Sequence, residues 1–305
     1  MPRIKSSFSA PLLVLVIYAL MVSSRYINIE ALQLKDNIYL AMIILQLLIF
    51  VLPTVFYCKL RGKKLTKNIA SKKLTGHKIG FVASCLGVLI FGSILLNTAS
   101  FYIFGGAQQT TSLYNTFNPL NTTSWQNIAY IIISLCVFPA LTEEFTFRGV
   151  VQTEYSSYGV GVAILMSSLM FSMLHFNLNN FIVYFFCGVV ASYTVYVTGS
   201  IVSGVILHLM NNMYALFFEA VLWNVIKAPN SLVFFLFVVS TLFIIFLFLS
   251  FSGAERVLYI SGVQGEKSPP EAEKQEGGIK LLFEALLSPS FIGCVIVFLI
   301  VTLVL

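Results

Sequence analysis

Five ionisable residues lie in stretches of sequence that are otherwise apolar: Glu143, Glu144, Arg148, His175 and His208. Placing a carboxylate or an imidazole inside a bilayer is costly, so such residues are rare there. They face the interior of a helix bundle, where they meet one another or water. These side chains are therefore candidates for chemistry, although each also has a structural interpretation as an ion pair or a packed polar group.

The two adjacent glutamates are predicted to have different roles. On a helix Glu143 and Glu144 point about 100° apart, so they cannot both face one point. Arg148 follows Glu144 by four residues, which favours an ion pair on one helix face. We therefore predict that Glu144 and Arg148 support the site structurally. Glu143 lacks such a local partner and is the better candidate for a general base.

A predicted hairpin brings the first histidine to the depth of Glu143. The turn centres near Tyr158, with Glu143 fifteen residues before it and His175 seventeen residues after it. In an antiparallel helix pair, equal distances from the turn mean equal depth, so we expect Glu143 and His175 to lie side by side. A lone histidine near a helix end is more often a hydrogen-bonded structural residue, and the matched depth argues against that here.

The second histidine shares a helix face with an amide. His208 and Asn212 are four residues apart, on a helix predicted to begin after Gly199. A carboxylate helped by a histidine can take a proton from water. The Asn212 amide and the other histidine can then stabilise the oxyanion of peptide hydrolysis.

The same residues also suit a metal. Two histidines and a carboxylate with an open position form a common catalytic zinc set, here Glu143, His175 and His208. The spacing His-Glu-x-x-His is absent. The residues alone therefore leave a metal-free and a metal-dependent hydrolase both open, with a divalent cation such as zinc as the candidate cofactor.

Three motifs carry a resemblance to a known family. They are Glu-Glu-x-x-x-Arg at 143–148, Phe-x-x-x-His at 171–175, and His-x-x-x-Asn at 208–212 after Thr198-Gly199-Ser200. Their order and spacing resemble the type II CAAX prenyl endopeptidases, also called the CPBP intramembrane proteases or the bacteriocin self-immunity family. The resemblance covers roughly residues 125–222.

Membership of that family implies proteolysis within the membrane. By position, Glu143 and His175 would activate water, while His208 and Asn212 would bind the oxyanion or take part in metal binding. Eukaryotic members remove the last three residues of prenylated proteins, and some bacterial members are tied to bacteriocin immunity or maturation. The implied partners are membrane lipid and a protein or peptide substrate.

Composition predicts the elements that must position these residues. The chain is 58% hydrophobic and 10% charged, against about 25% charged in soluble domains, which excludes a soluble globular protein. Apolar runs long enough to be candidate spans recur along the chain. They lie at about 8–27, 38–58, 79–105, 125–156, 160–177, 180–198, 201–223, 231–252 and 288–305. We predict an all-α, polytopic transmembrane helical bundle of eight or nine spanning helices, with a retained first helix and with Pro139 as a kink in the long fourth span.

Two charged segments predict the organisation around this core. Eight bases and no acid lie between residues 59 and 78: Lys59, Arg61, Lys63, Lys64, Lys67, Lys72, Lys73 and Lys78. Between two spans such a run indicates a cytoplasmic loop near anionic lipid, and nucleic acid is not an expected partner. A charged connector is predicted at 253–285, and an uncharged outer loop at 108–124. The predicted units are 1–124, the protease-like core 125–222, and 223–305.

A non-enzymatic membrane protein is the alternative function. Buried carboxylates and histidines also build proton relays, as in a proton-coupled carrier, and a bacteriocin-immunity partner would need no catalysis. A carrier is expected to show internal repeats and broken helices, and the sequence shows no repeat. We therefore expect a protease in a bacterial plasma membrane, with the N-terminus and the basic loop in the cytoplasm.

Overall fold

The described part of the chain is helical throughout. The computed structural model describes residues 5–26, 38–62, 65, 69–104, 124–226, 232–264 and 278–304. Its helices are α1 (Ser6–Ser24), α2 (Ile38–Arg61), α3 (Gly76–Phe104), α4 (Trp125–Tyr158), α5 (Val160–Leu174), α6 (Phe181–Thr198), α7 (Ile201–Phe217), α8 (Glu219–Ile226), α9 (Leu232–Val263), α10 (Gly278–Leu286) and α11 (Pro289–Val304). In these ranges the one β contact is an isolated bridge, so the all-α prediction is confirmed.

The predicted number of spans is too high. Within the described ranges, six helices are long and apolar enough to cross a membrane. The number becomes seven if α10 and α11, which are bent by 52° at their junction, count as one span. Helices α5 and α7 have only 15 and 17 residues, fewer than the roughly 20 needed to span the hydrocarbon core. Hydropathy located these two segments but did not limit their length.

The fourth span is the long helix that the sequence predicts. Helix α4 runs for 34 residues and contains two π-helical stretches, Ile133–Val137 and Phe145–Val151. The first directly precedes the Phe138-Pro139 step, where proline lacks the N–H of a regular helical bond. The second begins immediately after Glu144. Helix α4 is therefore irregular on both sides of the two glutamates. Such π-helical turns widen a helix locally and often accompany functional sites.

Two apolar clusters flank the candidate residues. One joins α1, α2, α4, α5 and α11 around Tyr18, Phe147 and Met166. The other joins α3, α6 and α9 around Phe81 and Leu89. Helices α4 and α5 belong to the first cluster and α6 to the second. Because α7 packs against α4 and α6, the candidate residues lie where the two clusters meet.

One end of the bundle is tied together by polar contacts. The last residue of α2, Arg61, donates two hydrogen bonds of 2.6 Å each to Glu154 near the end of α4. The segment before α3 pairs with the turn between α6 and α7. There, the amide of Lys72 donates to the Gly199 carbonyl at 2.9 Å, and that of Ile201 to the Ala70 carbonyl at 3.0 Å. We call the end that carries residues 69–72 and 198–200 the loop face.

A glycine is required in that turn. Gly199 has φ +64°, a left-handed conformation that side chains disfavour and that commonly ends helices. It ends α6 and lets α7 begin two residues later. The Thr-Gly-Ser sequence therefore turns the chain tightly at the loop face before His208.

The predicted charged connector is partly helical. Residues 253–263 continue α9, and residues 278–285 lie in α10. Residues 265–277 lie outside the described residues, as does the predicted outer loop up to residue 123. Phe81 near the start of α3 packs on Gly253, and Phe186 of α6 lies near Gly92. The end of α9 therefore lies at the same end of the bundle as the start of α3, which is the loop face.

Candidate active site

Glu144 is the centre of a buried polar contact between α4 and α7. Its side chain is fully buried, and its Oε1 accepts a hydrogen bond of 2.6 Å from Arg148 Nη1. The same oxygen lies 2.9 Å from Nδ1 of His208. The ion pair predicted from the four-residue spacing is therefore present. A second partner, 64 residues away in the sequence, joins it.

Glu143 meets the other side of the same imidazole. Its Oε2 lies 3.9 Å from Nε2 of His208 and has no hydrogen-bond partner among the described residues. The two glutamates diverge along α4, as their adjacency predicts, but His208 lies where it can meet one carboxylate with each ring nitrogen. When Nδ1 donates to Glu144, the tautomer leaves Nε2 with a lone pair on the side of Glu143.

His175 occupies a separate position at the end of α5. Its ring stacks on Tyr184 of α6, with centroids 3.9 Å apart, and its Nε2 is buried without a hydrogen-bond partner in the described structure. The ring of Phe171 contacts both imidazoles edge-on, at 5.1 Å from His175 and 5.6 Å from His208. No hydrogen bond or ion pair between Glu143 and His175 occurs in the described part of the chain.

Arg148 anchors this arrangement to the neighbouring helices. Its guanidinium lies over the ring of Phe171, 4.3 Å from the centroid, a cation–π contact that is stronger when desolvated. Its second terminal nitrogen donates to the carbonyl of Gly188 on α6 at 3.3 Å. One buried side chain thus connects α4, α5 and α6 around the site.

Asn212 lies one turn beyond His208 and reaches back to α4. Its amide nitrogen donates to the Leu135 carbonyl over 3.5 Å. In a regular helix that carbonyl would receive the N–H of residue 139, and Pro139 has none. The amide predicted to bind an oxyanion is therefore held by a long hydrogen bond to an irregular turn, from which it can exchange to a better acceptor.

A cavity of about 40 Å³ connects these groups. A buried water needs roughly 10–15 Å³ of such space, so the cavity has room for on the order of two or three waters. Its lining comprises Leu89, Glu144, Arg148, Phe171, His175, Tyr184, Cys187, Ala191, His208, Asn211 and Asn212. Both histidines and Asn212 therefore border one small cavity together with the Glu144–Arg148 pair, and Glu143 is not among its lining residues.

The predicted metal set is not assembled by these residues. Among the described residues, no group of three or more His, Cys, Asp or Glu side chains could hold a metal ion. Nδ1 of His208 faces Glu144, and the ring of His175 stacks on Tyr184 instead of turning to Glu143. The proposed set of Glu143, His175 and His208 therefore does not fit a three-ligand site in this arrangement.

The comparisons with known proteins bear on the same segment. Residues 125–214 match the family model of the type II CAAX prenyl endopeptidase Rce1-like proteins. The match includes all three motifs of the site, is consistent with the CPBP family, and supports a CAAX-type intramembrane protease in general. No curated protein and no solved structure matches the chain.

Sequence reasoning missed several residues that position the candidate site. Phe171 was visible only as the first letter of the Phe-x-x-x-His motif, with nothing to show that its ring contacts Arg148 and both histidines. Tyr184 and Gly188 lie on α6, a helix without a motif of its own. Gly204 had a signal: it precedes His208 by four residues and so lies on the same face of α7.

Gly204 allows the closest approach of α7 to Glu144. A Cβ at this position would lie 2.6 Å from Glu144 Oε2 and 2.8 Å from a methyl group of Val195, and real structures do not show such contacts. We predict that Gly204→Ala displaces Glu144 and lowers the melting temperature of the purified protein, with loss of any peptidase activity. Gly161→Ala is the matched control, because a Cβ there meets nothing within 4 Å. Equal melting temperatures for the two variants would contradict this prediction.

Proposed function

We propose that this chain is an intramembrane endopeptidase that hydrolyses a peptide bond of a membrane-associated or lipid-modified protein or peptide. One observation carries the proposal: a buried carboxylate and a buried imidazole nitrogen, Glu143 Oε2 and His208 Nε2, lie 3.9 Å apart. Both atoms can accept a proton when Glu143 is ionised and His208 is neutral. A water that lies between them can donate one hydrogen bond to each.

Glu143 is the proposed general base. As the water oxygen attacks the carbonyl carbon of the peptide, its proton passes to the Glu143 carboxylate, and a tetrahedral oxyanion forms. The intermediate collapses when the carbon–nitrogen bond breaks and the leaving amine takes that proton. The products are an amine and a carboxylic acid, which then loses its proton to solvent, and Glu143 is regenerated as a carboxylate. Glu144 fixes the ring orientation and tautomer of His208, with Arg148 as its counter-ion.

His175 and Asn212 are the proposed donors to the oxyanion. Nε2 of His175 is buried, has no hydrogen-bond partner among the described residues and borders the cavity. The Asn212 amide reaches the same cavity from α7. The resemblance alone would pair Glu143 with His175, but the distances favour His208 as its partner. Preorganised donors of this kind stabilise the charge that develops in the transition state.

The proposed mechanism assigns no step to a metal. The candidate ligands Glu143, His175 and His208 do not converge in the described structure, so peptide hydrolysis is proposed to depend on the glutamate and histidines alone. We expect cleavage by the purified protein to survive prolonged treatment with a strong chelator. Activity that disappears with the chelator and returns with added zinc would overturn this part of the proposal.

The loop face is the proposed cytoplasmic side. The described bases near this face include Lys59, Arg61, Lys72, Lys73 and Lys78, and excess Lys and Arg mark cytoplasmic loops. A cysteine introduced at residue 73 should then react with an impermeant thiol reagent in inverted membrane vesicles and remain unreactive in intact cells. The reverse pattern would place the loop face outside.

The peptidase proposal is tested with the purified protein in liposomes. Two peptides of identical sequence are compared, one with a prenyl thioether on a cysteine four residues from its carboxyl end and one without. Mass spectrometry then identifies the products. Cleavage of either peptide at one bond supports the proposal, and preference for the prenylated peptide identifies the lipid as part of the recognised substrate. No cleavage of these peptides or of the extracted membrane proteome would favour the non-enzymatic alternative.

His175→Ala tests the assignment of His175 as an oxyanion donor. Loss of an oxyanion donor typically lowers kcat by about 10²–10³-fold, so we expect the variant to fold and to bind peptide with strongly reduced turnover. The reaction rate in the same liposomes, with KM measured separately, checks this. Unchanged turnover in His175→Ala would remove His175 from the proposed oxyanion site.

A further inference from the structure

Buried polar atoms without partners are concentrated on one side of the site. In the described chain, six such atoms belong to α4, α6 and the residue that precedes α7. They are Glu143 Oε2, Glu144 Oε2, Arg148 Nε, Gln152 Oε1, Ser192 Oγ and Ser200 Oγ. A buried polar group without a hydrogen bond is unusual in a folded protein, and an ordered water is the common explanation. Their concentration between three helices therefore suggests a continuous polar passage.

We call these six atoms the column, and those on α4 and α6 lie at successive levels along the two helices. Arg148 reaches the Gly188 carbonyl at 3.3 Å, and one turn further along both helices the amide of Gln152 donates to the Ser192 carbonyl at 3.0 Å. Gln152 and Ser192 thus face each other across α4 and α6. Each contributes a second polar atom, Gln152 Oε1 or Ser192 Oγ, that has no hydrogen-bond partner among the described residues.

The column leads from the carboxylates to the loop face. Helix α7 runs antiparallel to α4, because Gly204 lies against Glu144 while Ile201 lies against Gly149. Ser200, the residue before α7, therefore belongs to the loop-face end of this interface, near the level of Gln152. Its backbone neighbours pair with residues 70 and 72 of the basic loop. The inner end is the cavity beside Glu144 and Arg148.

The spacing suits a file of waters. Residues 144, 148 and 152 follow one another at four-residue intervals. These intervals would correspond to about 6 Å along a regular helix and are shorter here, because Phe145–Val151 is π-helical and a π-helical turn is wider. One water with two hydrogen bonds of about 2.8 Å connects atoms up to roughly 5.6 Å apart. Side-chain reach on both walls shortens each gap, so one water per turn can connect the whole column.

We propose that Gln152, Ser192 and Ser200 line a water path that connects the carboxylate site to the loop face. The path itself is inferred from the contacts of Arg148 and Gln152 with α6 and from the unpartnered polar atoms beside them. Its role rests on the proposed peptidase function: a substrate in the small cavity displaces the water there, and each hydrolysis consumes one more. A route along α4 and α6 delivers water to Glu143 from the side away from Asn211 and Asn212, so substrate and water need not share an entrance.

The path is tested first without any activity measurement. Ser192→Cys and Ser168→Cys each place a thiol at a fully buried position. Ser192 borders the column, whereas the hydroxyl of Ser168 is satisfied by the Ile164 carbonyl at 2.7 Å. Hydroxyl radicals formed from bound water oxidise a nearby thiol. In the full-length protein in liposomes, we expect radiolytic oxidation at residue 192 to be several-fold faster than at residue 168, as measured by peptide mass spectrometry.

Equal oxidation at the two positions would overturn the water path whether or not the protein cleaves peptides. Native Cys85 and Cys294, both buried outside the column, provide internal references for dry thiols in the same samples. A melting temperature for each variant ensures that only folded protein is compared. Because this experiment needs no substrate, its result is independent of the proposed peptidase function.

The role of the path is tested with isosteric variants. Gln152→Met and Ser192→Ala remove the polar atoms that face the column, and Ser168→Ala is the matched control. We expect kcat to fall several-fold in the first two variants with KM unchanged, and to remain at the wild-type value in the control. If oxidation shows the water path but kcat is unchanged in both variants, the path exists without feeding hydrolysis and the proposed role is wrong.

Discussion

Glu143→Gln is expected to abolish peptide cleavage while leaving the fold intact. The amide keeps the size of the side chain but cannot accept a proton from water, and removal of a general base typically costs about 10²–10⁴-fold in rate. Glu143 Oε2 makes no hydrogen bond in the described structure, so its replacement removes no structural contact at that atom. Single-turnover cleavage in liposomes, together with a melting curve, measures both parts of the prediction.

Glu255→Gln provides the control for the chemical change. Glu255 is exposed near the end of α9, so the same replacement there should alter neither rate nor melting temperature. If Glu143→Gln cleaves as fast as the wild-type protein, Glu143 is not the base and the mechanism proposed here fails. If it loses activity only because it melts at a much lower temperature, Glu143 has a structural role instead.

Local spacing predicted the part of the site that lies within one helix. Glu144 and Arg148 are four residues apart, and regular helix geometry brings such residues together. The predicted ion pair is present at 2.6 Å. The contact of Glu144 with His208 depends on how α7 packs against α4. No periodicity within either segment specifies that packing.

The position of His175 shows a different limit of the sequence. Equal distance from a turn predicted its depth but not the direction of its ring. Tyr184, which stacks on the ring, lies beyond a second turn, and Phe171 contacts the rings of both His175 and His208. The placement therefore depends on the shapes of neighbouring aromatic side chains. The roles of Glu143, His175, His208 and Asn212 in catalysis remain predictions.

The helix content followed from composition, whereas the number of spans did not. A chain with 58% hydrophobic residues and recurring apolar runs must satisfy its backbone internally, which favours helices everywhere. Helices α5 and α7 are apolar yet short, because His175 ends one and the turn at Gly199 begins the other close to the site. Hydropathy measures apolar length, but it does not register where tertiary contacts end a helix.

Glu144→Gln is expected to destabilise the protein far more than Glu143→Gln. Arg148 has a fully buried side chain, and a buried charge that loses its counter-ion typically costs about 3–5 kcal/mol. The cation–π contact with Phe171 and the bond to Gly188 remain, but neither neutralises the guanidinium. Reversible unfolding in mixed detergent micelles measures the free-energy difference. A loss below about 1 kcal/mol, the usual value for exposed pairs, would contradict the assignment.

The double variant Glu144→Gln with Arg148→Met separates stability from catalysis. Replacing both members of a buried ion pair with groups of similar volume is often neutral or stabilising, so much of the lost stability should return. Activity should not return with it, because a glutamine holds the Nδ1–H of His208 more weakly than a carboxylate does and so fixes the ring orientation and tautomer less firmly. A double variant that is both stable and fully active would show that Glu144 serves only as the counter-ion of Arg148. A stable but slow one identifies Glu144 as the residue that orients His208 beside Glu143.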